Sequence, residues 1–328
     1  MVNSNLGSIS LVIVNWNSGA WLKKCLQGVV AQTIQPQRIF LIDNHSTDCS
    51  LSDVETILPS IKLIRQKENL GFSQANNVAL QSIDGSQWTV LLNPDAIPEP
   101  DWLESLLTAA EKNPEYSFFA SKMINALHTD MFDGAGDLLH FSGLGWRRYH
   151  GFSINHVRNI EIECFGSCAG AAMYKTEDLK KLGGFDESFF CYFEDVDLSF
   201  RLRLAGNRCL YVPSAVVMHV GSVTSGGKQS NFAVYHGHRN LVWTYVKNMP
   251  GWLFWACMPL HLLMNLVTVI MFIGRGKGRV ILRAKRDAIL GLPKMWEKRR
   301  EIQKNRLVPI REIWRVLDKR IFLSRKNR

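Results

Sequence analysis

The stretch TVLLNPDAIPEPDWL, residues 89–103, runs from apolar to polar at a single corner. Residues 88–93 (WTVLLN) have the β-branched and apolar make-up of a buried strand, and Pro94, which has no N–H for a ladder, ends it. Asp95 then stands alone just past the strand's carboxyl end. Three earlier runs have the same form: ISLVIVN (9–15), RIFLIDN (38–44) and IKLIRQ (61–66). Helix-like segments lie between them at 19–31, 51–58 and 73–83, with Ser18 and Ser50 expected as N-caps. Strand–helix alternation of this kind predicts an α/β fold with a parallel sheet covered by helices on both faces. Ligands of such sheets sit beyond the carboxyl ends of the strands. The residues there are Asn15, Asp43, Asn44, Asn69 and Asp95, all polar.

The 328 residues suit one large α/β domain with an appendage, or two domains, and an apolar content of 46% supplies a sizeable core. The net charge of +10 is unevenly spread. Residues 274–328 hold 19 Lys/Arg against 5 Asp/Glu, a net of +14, which leaves −4 for the first 273 residues. Seven cysteines form no CxxC pair, so reduced thiols in a cytosolic compartment are expected rather than a disulfide framework or a zinc site. The start, MVNSNLGSIS, has no basic or long apolar region, and no signal peptide is expected from it.

Residues 122–164 are rich in Gly, His and aromatics and only weakly periodic. They are read as irregular strands and loops of a binding face. Order returns with a strand at 170–175 and a short helix at 176–184. An aromatic loop, FFCYF, then turns into a helix that closes at Gly206. CLYVP and AVVMHVGS follow, read as a strand and a loop. After residue 230 comes an aromatic amphipathic helix stopped at Pro250, then 23 residues (251–273) without Asp, Glu, Lys or Arg, then the basic tail.

Four clusters fall at strand ends: VNWN (14–17), DNHSTD (43–48), ENLGFSQANN (68–77) and NPD (93–95). Any one of them is an ordinary turn composition; four on one sheet edge point to a nucleotide. A carboxylate such as Asp43 suits a base N–H or ribose hydroxyls, Gly71 permits close backbone approach, and Asn76 is placed for sugar or phosphate. Neither GAGDLL nor GLGWRR completes GxGxxG, and no GxxxxGK[ST] is present, so dinucleotide-oxidoreductase and P-loop readings lack their phosphate devices. In FEDVDLSFR, Glu194, Asp195 and Asp197 follow four aromatic residues. A carboxylate against an apolar wall has a raised pKa and suits a general base. His219, after an apolar run and before Gly221, is a candidate metal ligand.

These motifs, LVIVNWN, LIDNHSTD, ENLGFSQANN, LLNPDA, FGSCAGAAMYK, GGFDESFFCYFEDVDLSFRLRLAG and VMHVGS, resemble in order and spacing a family-2 glycosyltransferase with a GT-A fold. The similarity covers about two thirds of the chain. It is greatest to bacterial rhamnosyltransferases that build lipid-linked surface polysaccharide such as O-antigen. The resemblance implies a mixed, mainly parallel sheet with helices on both faces (residues 1–230), divided into a nucleotide-sugar half (1–121) and an acceptor/catalytic half (122–230). Membrane-associated C-terminal helices (231–328) complete the chain. It also implies an inverting transfer of a sugar, L-rhamnose from dTDP-rhamnose as the first choice, onto a polyprenyl-diphosphate-linked glycan, with Mg²⁺ or Mn²⁺. Carried over by position, Val14, Asn15, Asn17, Asp43, Asn69, Gly71, Asn76, Asn93 and Asp95 bind the nucleotide sugar. Asp95 and His219 hold the metal. Asp195 is the base with Glu194 beside it, and Asp197 and Arg201 support them. The family's usual first metal-site acid is Asn93 here, so one carboxylate, one imidazole and the donor's phosphate oxygens have to suffice. Another donor (galactofuranose, glucose), a nucleotidyltransferase and a non-catalytic nucleotide-sugar binder are the competing readings.

Twenty-three uncharged residues are long enough to cross a bilayer. A single crossing, however, separates the nucleotide-dependent domain from a basic tail that also belongs in the cytoplasm. The expectation is a monotopic arrangement on the cytoplasmic face of the inner membrane, with the tail on an anionic membrane surface rather than on nucleic acid. An oligomer is compatible with the sequence.

Overall fold

The computed structural model describes residues 7–221 and 230–320. The first half follows the strand–helix pattern closely: β1 (Ile9–Asn15), α1 (Ala20–Val30), β2 (Arg38–Asp43), α2 (Val54–Ile57), β3 (Lys62–Arg65), α3 (Gly71–Gln81), β4 (Trp88–Leu92), β5 (Ala96–Pro98) and α4 (Trp102–Lys112). The helix expected at 51–58 is a single turn, and neither Ser18 nor Ser50 caps a helix. Ser18 instead bonds Asn15, and Ser50 bonds Asp48 and Asn15. These short polar side chains tie the β1 and β2 end loops together.

The rest comprises β6 (Phe118–Asn125), β7 (Phe132–Ala135), β8 (Asp137–Leu139), β9 (Gly145–Arg147), β10 (Ile162–Cys164), β11 (Ala171–Lys175), α5 (Thr176–Lys181), α6 (Glu194–Leu204) and β12 (Cys209–His219). Then come α7 (Asn231–Asn248), α8 (Gly251–Gly274), α9 (Gly278–Leu290), α10 (Leu292–Lys304) and α11 (Ile310–Val316). The main sheet runs β10-β12-β6-β11-β4-β1-β2-β3, with β5 on β12 and β7 on β6. β3, β2, β1 and β4 are parallel; β11 enters antiparallel between β4 and β6. Side chains alternate across β1. Ile9, Leu11 and Ile13 pack with α1 and α4 on one face, while Val12 and Val14 pack with α3 and α6 on the other.

CLYVP and AVVMH are one strand, β12, rather than a strand and a loop. Its register on β6 slips between Val212 and Val216, where Pro213, Ser214 and Ala215 have no partner on β6. Beyond the bulge β12 also pairs with β5, placing His219 opposite Ala96 and so beside Asp95. Ser222 of the VMHVGS motif lies outside the described residues, as do the first six residues of the chain and the basic stretch 321–328.

The C-terminal helices are not a free tail. Leu253, Phe254, Cys257, Ile313 and Leu317 share one apolar cluster with Leu139, Phe165, Val196 and Phe200. The fully buried Lys247 ammonium of α7 reaches Asp186 at 2.6 Å and Asp197 at 2.7 Å, and Lys298 of α10 also binds Asp186. Arg299 donates to the carbonyls of Val246 and Met249. Part of the basic charge is therefore consumed inside the fold. One stripe of α8 is buried on the domain, and His261 Nδ1 bonds the Ser142 carbonyl at 2.7 Å. Its other face exposes Trp252, Trp255, Leu262, Leu263, Leu266 and Ile270.

Candidate active site

The carboxyl ends of β1 and β4, the loop before α6 and the end of β12 surround a cavity of about 550 Å³. Of the residues expected from the sequence, Val14, Asn44, Asn69, Gly71, Asn93, Asp95, Glu194, Asp195 and His219 line it. The others do not. Asn15 holds Ser46 and Ser50, Asn17 accepts from the Thr47 amide, Asp43 accepts from the Ser46 amide, and Asn76 donates to the Phe72 carbonyl within α3. Asp197 and Arg201 form a buried ion pair at 2.8 Å behind the cavity. Arg201 also donates to the carbonyls of Leu182 and Gly184.

Asp195 stands in the first turn of α6, where the helix dipole favours a carboxylate. It accepts from the amides of Val196 (2.9 Å) and Ala169 (3.4 Å) and remains partly open to the cavity. Burial raises its pKa, while Arg147 and the two amides oppose the rise. Glu194 is buried with Oε2 lacking a hydrogen-bond partner among the described residues; burial and then the charge of Asp195 push its pKa well up. The loop leading in is strained: Phe190, Tyr192 and Phe193 all have φ between 64° and 67°, a region bulky residues avoid. Asn240 of α7 holds it by donating to the carbonyls of Phe189, Cys191 and Tyr192. Gly71 makes room for the same loop, since a Cβ there would lie 2.6 Å from Phe190. The close approach this glycine permits is made by protein.

Asp95 and His219 lie side by side at the ends of β4 and β12. His219 Nε2 lies 3.4 Å from Asp95 Oδ1, an ion-pair contact in which Nε2 is buried and has no hydrogen bond among the described residues. Its Nδ1 is fixed by Asp133 Oδ2 at 2.8 Å. The second oxygen of Asp95 accepts from the Gly221 amide at 3.1 Å. Burial disfavours charge on all three groups. The mutual contacts outweigh it, so His219 is raised and Asp95 and Asp133 are lowered, Asp133 chiefly by Arg147.

Sequence reasoning did not single out Asp133, Asp137 or Arg147. All three lie in the weakly periodic stretch 122–164. The available signal was two aspartates, four residues apart in FDGAGDLL, among apolar and glycine neighbours. Arg147 sits opposite Asp137 in the β8–β9 ladder and pairs with Asp133. Burial and then Asp195 raise Asp137 to about 8. Its folded pKa thus exceeds the unfolded one, so the native state holds the proton more tightly and stability falls as pH rises between about 4 and 8. The slope is up to about 1.4 kcal/mol per pH unit for one such proton. Between pH 5 and 8, the difference in stability between wild type and Asp137→Asn in urea melts should carry that slope. Parallel curves would contradict it.

The profile of glycosyl transferase family 2 matches residues 10–183, more than half of the chain. This chain belongs to glycosyl transferase family 2. The chain is 26% identical over 268 residues to N-acetylglucosaminyl-diphospho-decaprenol L-rhamnosyltransferase of Mycobacterium tuberculosis, covering 74% of this chain and 86% of that one. It is 25% identical over 225 residues to the O-antigen chain rhamnosyltransferase WbaN of Salmonella anatum, covering 66% and 67%. Among solved structures, the mannosyltransferase PcManGT of Pyrobaculum calidifontis, in complex with GDP-Man and Mn²⁺, superposes with a TM-score of 0.56. It is 16% identical over 91% of this chain and 86% of that one. GalNAc-T7 with UDP, GalNAc and Mn²⁺ gives 0.59 at 19% identity, over 75% and 48%. At these identities the likeness is one of fold: the family 2 chain has the GT-A architecture.

Proposed function

We propose that this family 2 glycosyltransferase moves L-rhamnose from dTDP-rhamnose, with inversion, to a polyprenyl-diphosphate-linked saccharide in bacterial surface-polysaccharide synthesis. The observation that carries the reading is the cavity itself, which Asp195 shares with the Asp95–His219 pair. The rhamnosyltransferase relatives support the sugar, and the decaprenol-linked substrate in one relative's name supports the lipid.

Asp195 takes the proton of the acceptor hydroxyl as its oxygen bonds to the anomeric carbon and the bond to the diphosphate breaks. Its raised pKa makes it a stronger base than an exposed carboxylate. Asp137, largely protonated near neutrality, limits the negative charge around it. The orphaned, buried Nε2 of His219 facing Asp95 fits a cation ligand. Asp95 and His219 would hold Mg²⁺ or Mn²⁺ with the donor's phosphate oxygens, and that ion supplies charge neutralisation for the departing diphosphate. Asp133 keeps Nδ1 engaged and Nε2 turned to the site.

The bilayer reading is monotopic. The exposed apolar face of α8 enters one leaflet while its buried stripe stays on the domain, and a helix tethered in this way is poorly suited to cross alone. The catalytic cavity then faces the cytoplasm at the membrane surface.

A thermal-shift screen of nucleotide sugars with and without Mg²⁺ or Mn²⁺ tests the proposal. A donor at about 100 times its dissociation constant adds about 2.7 kcal/mol of stability. The expected result is a metal-dependent shift with dTDP-rhamnose. A shift only with UDP-galactofuranose or UDP-glucose would reassign the sugar, and none with any nucleotide sugar would refute the reading.

A further inference from the structure

A second hollow, of about 740 Å³, lies between α7, α8, α9 and α10, outside the catalytic cavity. That volume is within the ~300–1,000 Å³ of small-molecule sites. Its walls are mostly apolar: Val242, Phe254, Leu266, Val269, Ala288 and Trp296. Leu262 and Leu266 form its rim and are 61% and 56% exposed, so it opens onto the exposed apolar face of α8. A convex apolar face is enough to seat a helix on lipid; a concave one has room for a chain.

One lining cation is drawn in from solvent. The Lys285 side chain donates to the His238 carbonyl at 2.9 Å and to Asn265 Oδ1, both neutral. No carboxylate pairs with it among the described residues, and burial pulls its ammonium down to about 8. Glu297 and Arg300 also line the hollow, from α10. A cation kept in an apolar groove without an acidic partner matches an amphiphile with an anionic head. The placement also matches. His238 is five residues along α7 from Ala233, which lines the catalytic cavity. α7 thus borders both spaces, with Ala233 on the catalytic cavity and Val242 and Val246 on the hollow.

We infer that this groove binds the prenyl chain of a prenyl diphosphate, with Lys285 contacting the diphosphate and so presenting the attached saccharide to the catalytic cavity. The identity of the lipid rests on the proposed function; the site rests on the groove and its unpaired cation. Calorimetry of the full chain with farnesyl diphosphate, in EDTA so that a metal-dependent diphosphate site is silent, is the test. Wild type should bind, with Lys285→Met and Leu266→Phe each weakening the affinity at least tenfold. Pyrophosphate and farnesol should each bind at least tenfold more weakly than farnesyl diphosphate. Unchanged affinity in both variants, or equal binding of pyrophosphate, would overturn the inference. So would variants that lose only cosedimentation with phosphatidylglycerol vesicles, which would make the groove a bilayer seat. Self-association abolished by Leu266→Phe, with farnesyl diphosphate binding intact, would assign the face to a second copy. Nucleotide-sugar thermal shifts retained by both variants confirm that they fold. A failure of the glycosyltransferase reading appears in those shifts, independently of the calorimetry.

Discussion

Asp195→Asn is expected to lower kcat about a thousandfold, since a positioned general base contributes roughly 10²–10⁴, while the dissociation constant of the nucleotide sugar stays within about threefold. Asparagine keeps an acceptor for the Val196 amide, gives up only the longer 3.4 Å bond from Ala169, and removes the basic oxygen. The split between turnover and donor binding is what identifies a base, because collapse of the α6 N-terminus would damage both. Activity within tenfold of wild type would remove Asp195 from the proposed role. Glu194 then becomes the carboxylate to test, although its side chain is buried, and burial and the charge of Asp195 push its pKa well up.

Asp95→Ala is expected to abolish metal-dependent transfer and, with it, the metal-dependent part of the donor's thermal shift. Asp95 is the only carboxylate in its motif, so no neighbour replaces it. Among the described residues no three His, Cys, Asp or Glu side chains converge on a ready cation site. On the proposed reading the donor's phosphate oxygens complete the set, so metal should bind weakly to the free protein. Asn93→Asp should leave transfer working, since it restores an acid beside one that already suffices. The two variants are read by titrating Mn²⁺ at fixed donor. A metal-dependent shift that survives Asp95→Ala would show that the cation is held elsewhere.

Much of this site was legible because its chemistry is local. β1, β2 and β4 announce themselves by apolar runs of strand length, and each ends on a polar corner that has to sit at the ligand edge of a parallel sheet. Asn69, Asn93 and Asp95 were found this way, and Glu194 and Asp195 by acids following an aromatic run. The same logic pointed to Asn15, Asn17, Asp43 and Asn76, which do not line the cavity. A polar side chain at a strand end can face the ligand or bind the neighbouring loop, and composition does not distinguish the two. In this chain those four side chains hold loop and helix backbone or neighbouring hydroxyls.

Asp133, Asp137 and Arg147 were illegible for a different reason. They lie on β7, β8 and β9, strands of three or four residues with too few alternations to show a period. Their partners, His219 and Asp195, are 86 and 58 positions away. The C-terminal charge shows the same limit. Its sign and amount are sequence properties, but which lysines face solvent is not. Lys298 is paired with Asp186 inside the fold and Lys285 has no acidic partner among the described residues, because helix packing alone decides which carboxylates come within reach.

By itself, the sequence determined the α/β class, the polar strand-end corners, the acid-bearing start of α6, the uncharged run of α8 and the separation of charge. Each depends on residues within one or two turns or strands of each other. Only the tertiary structure decided that β12 runs through its proline as one strand, pairs with β5 and delivers His219 to Asp95. It also decided that Asp133 orients that imidazole and that α7 to α10 enclose a second hollow. Those outcomes follow from sheet register and helix packing between distant segments, where each pairing competes with every other and no local pattern records the winner.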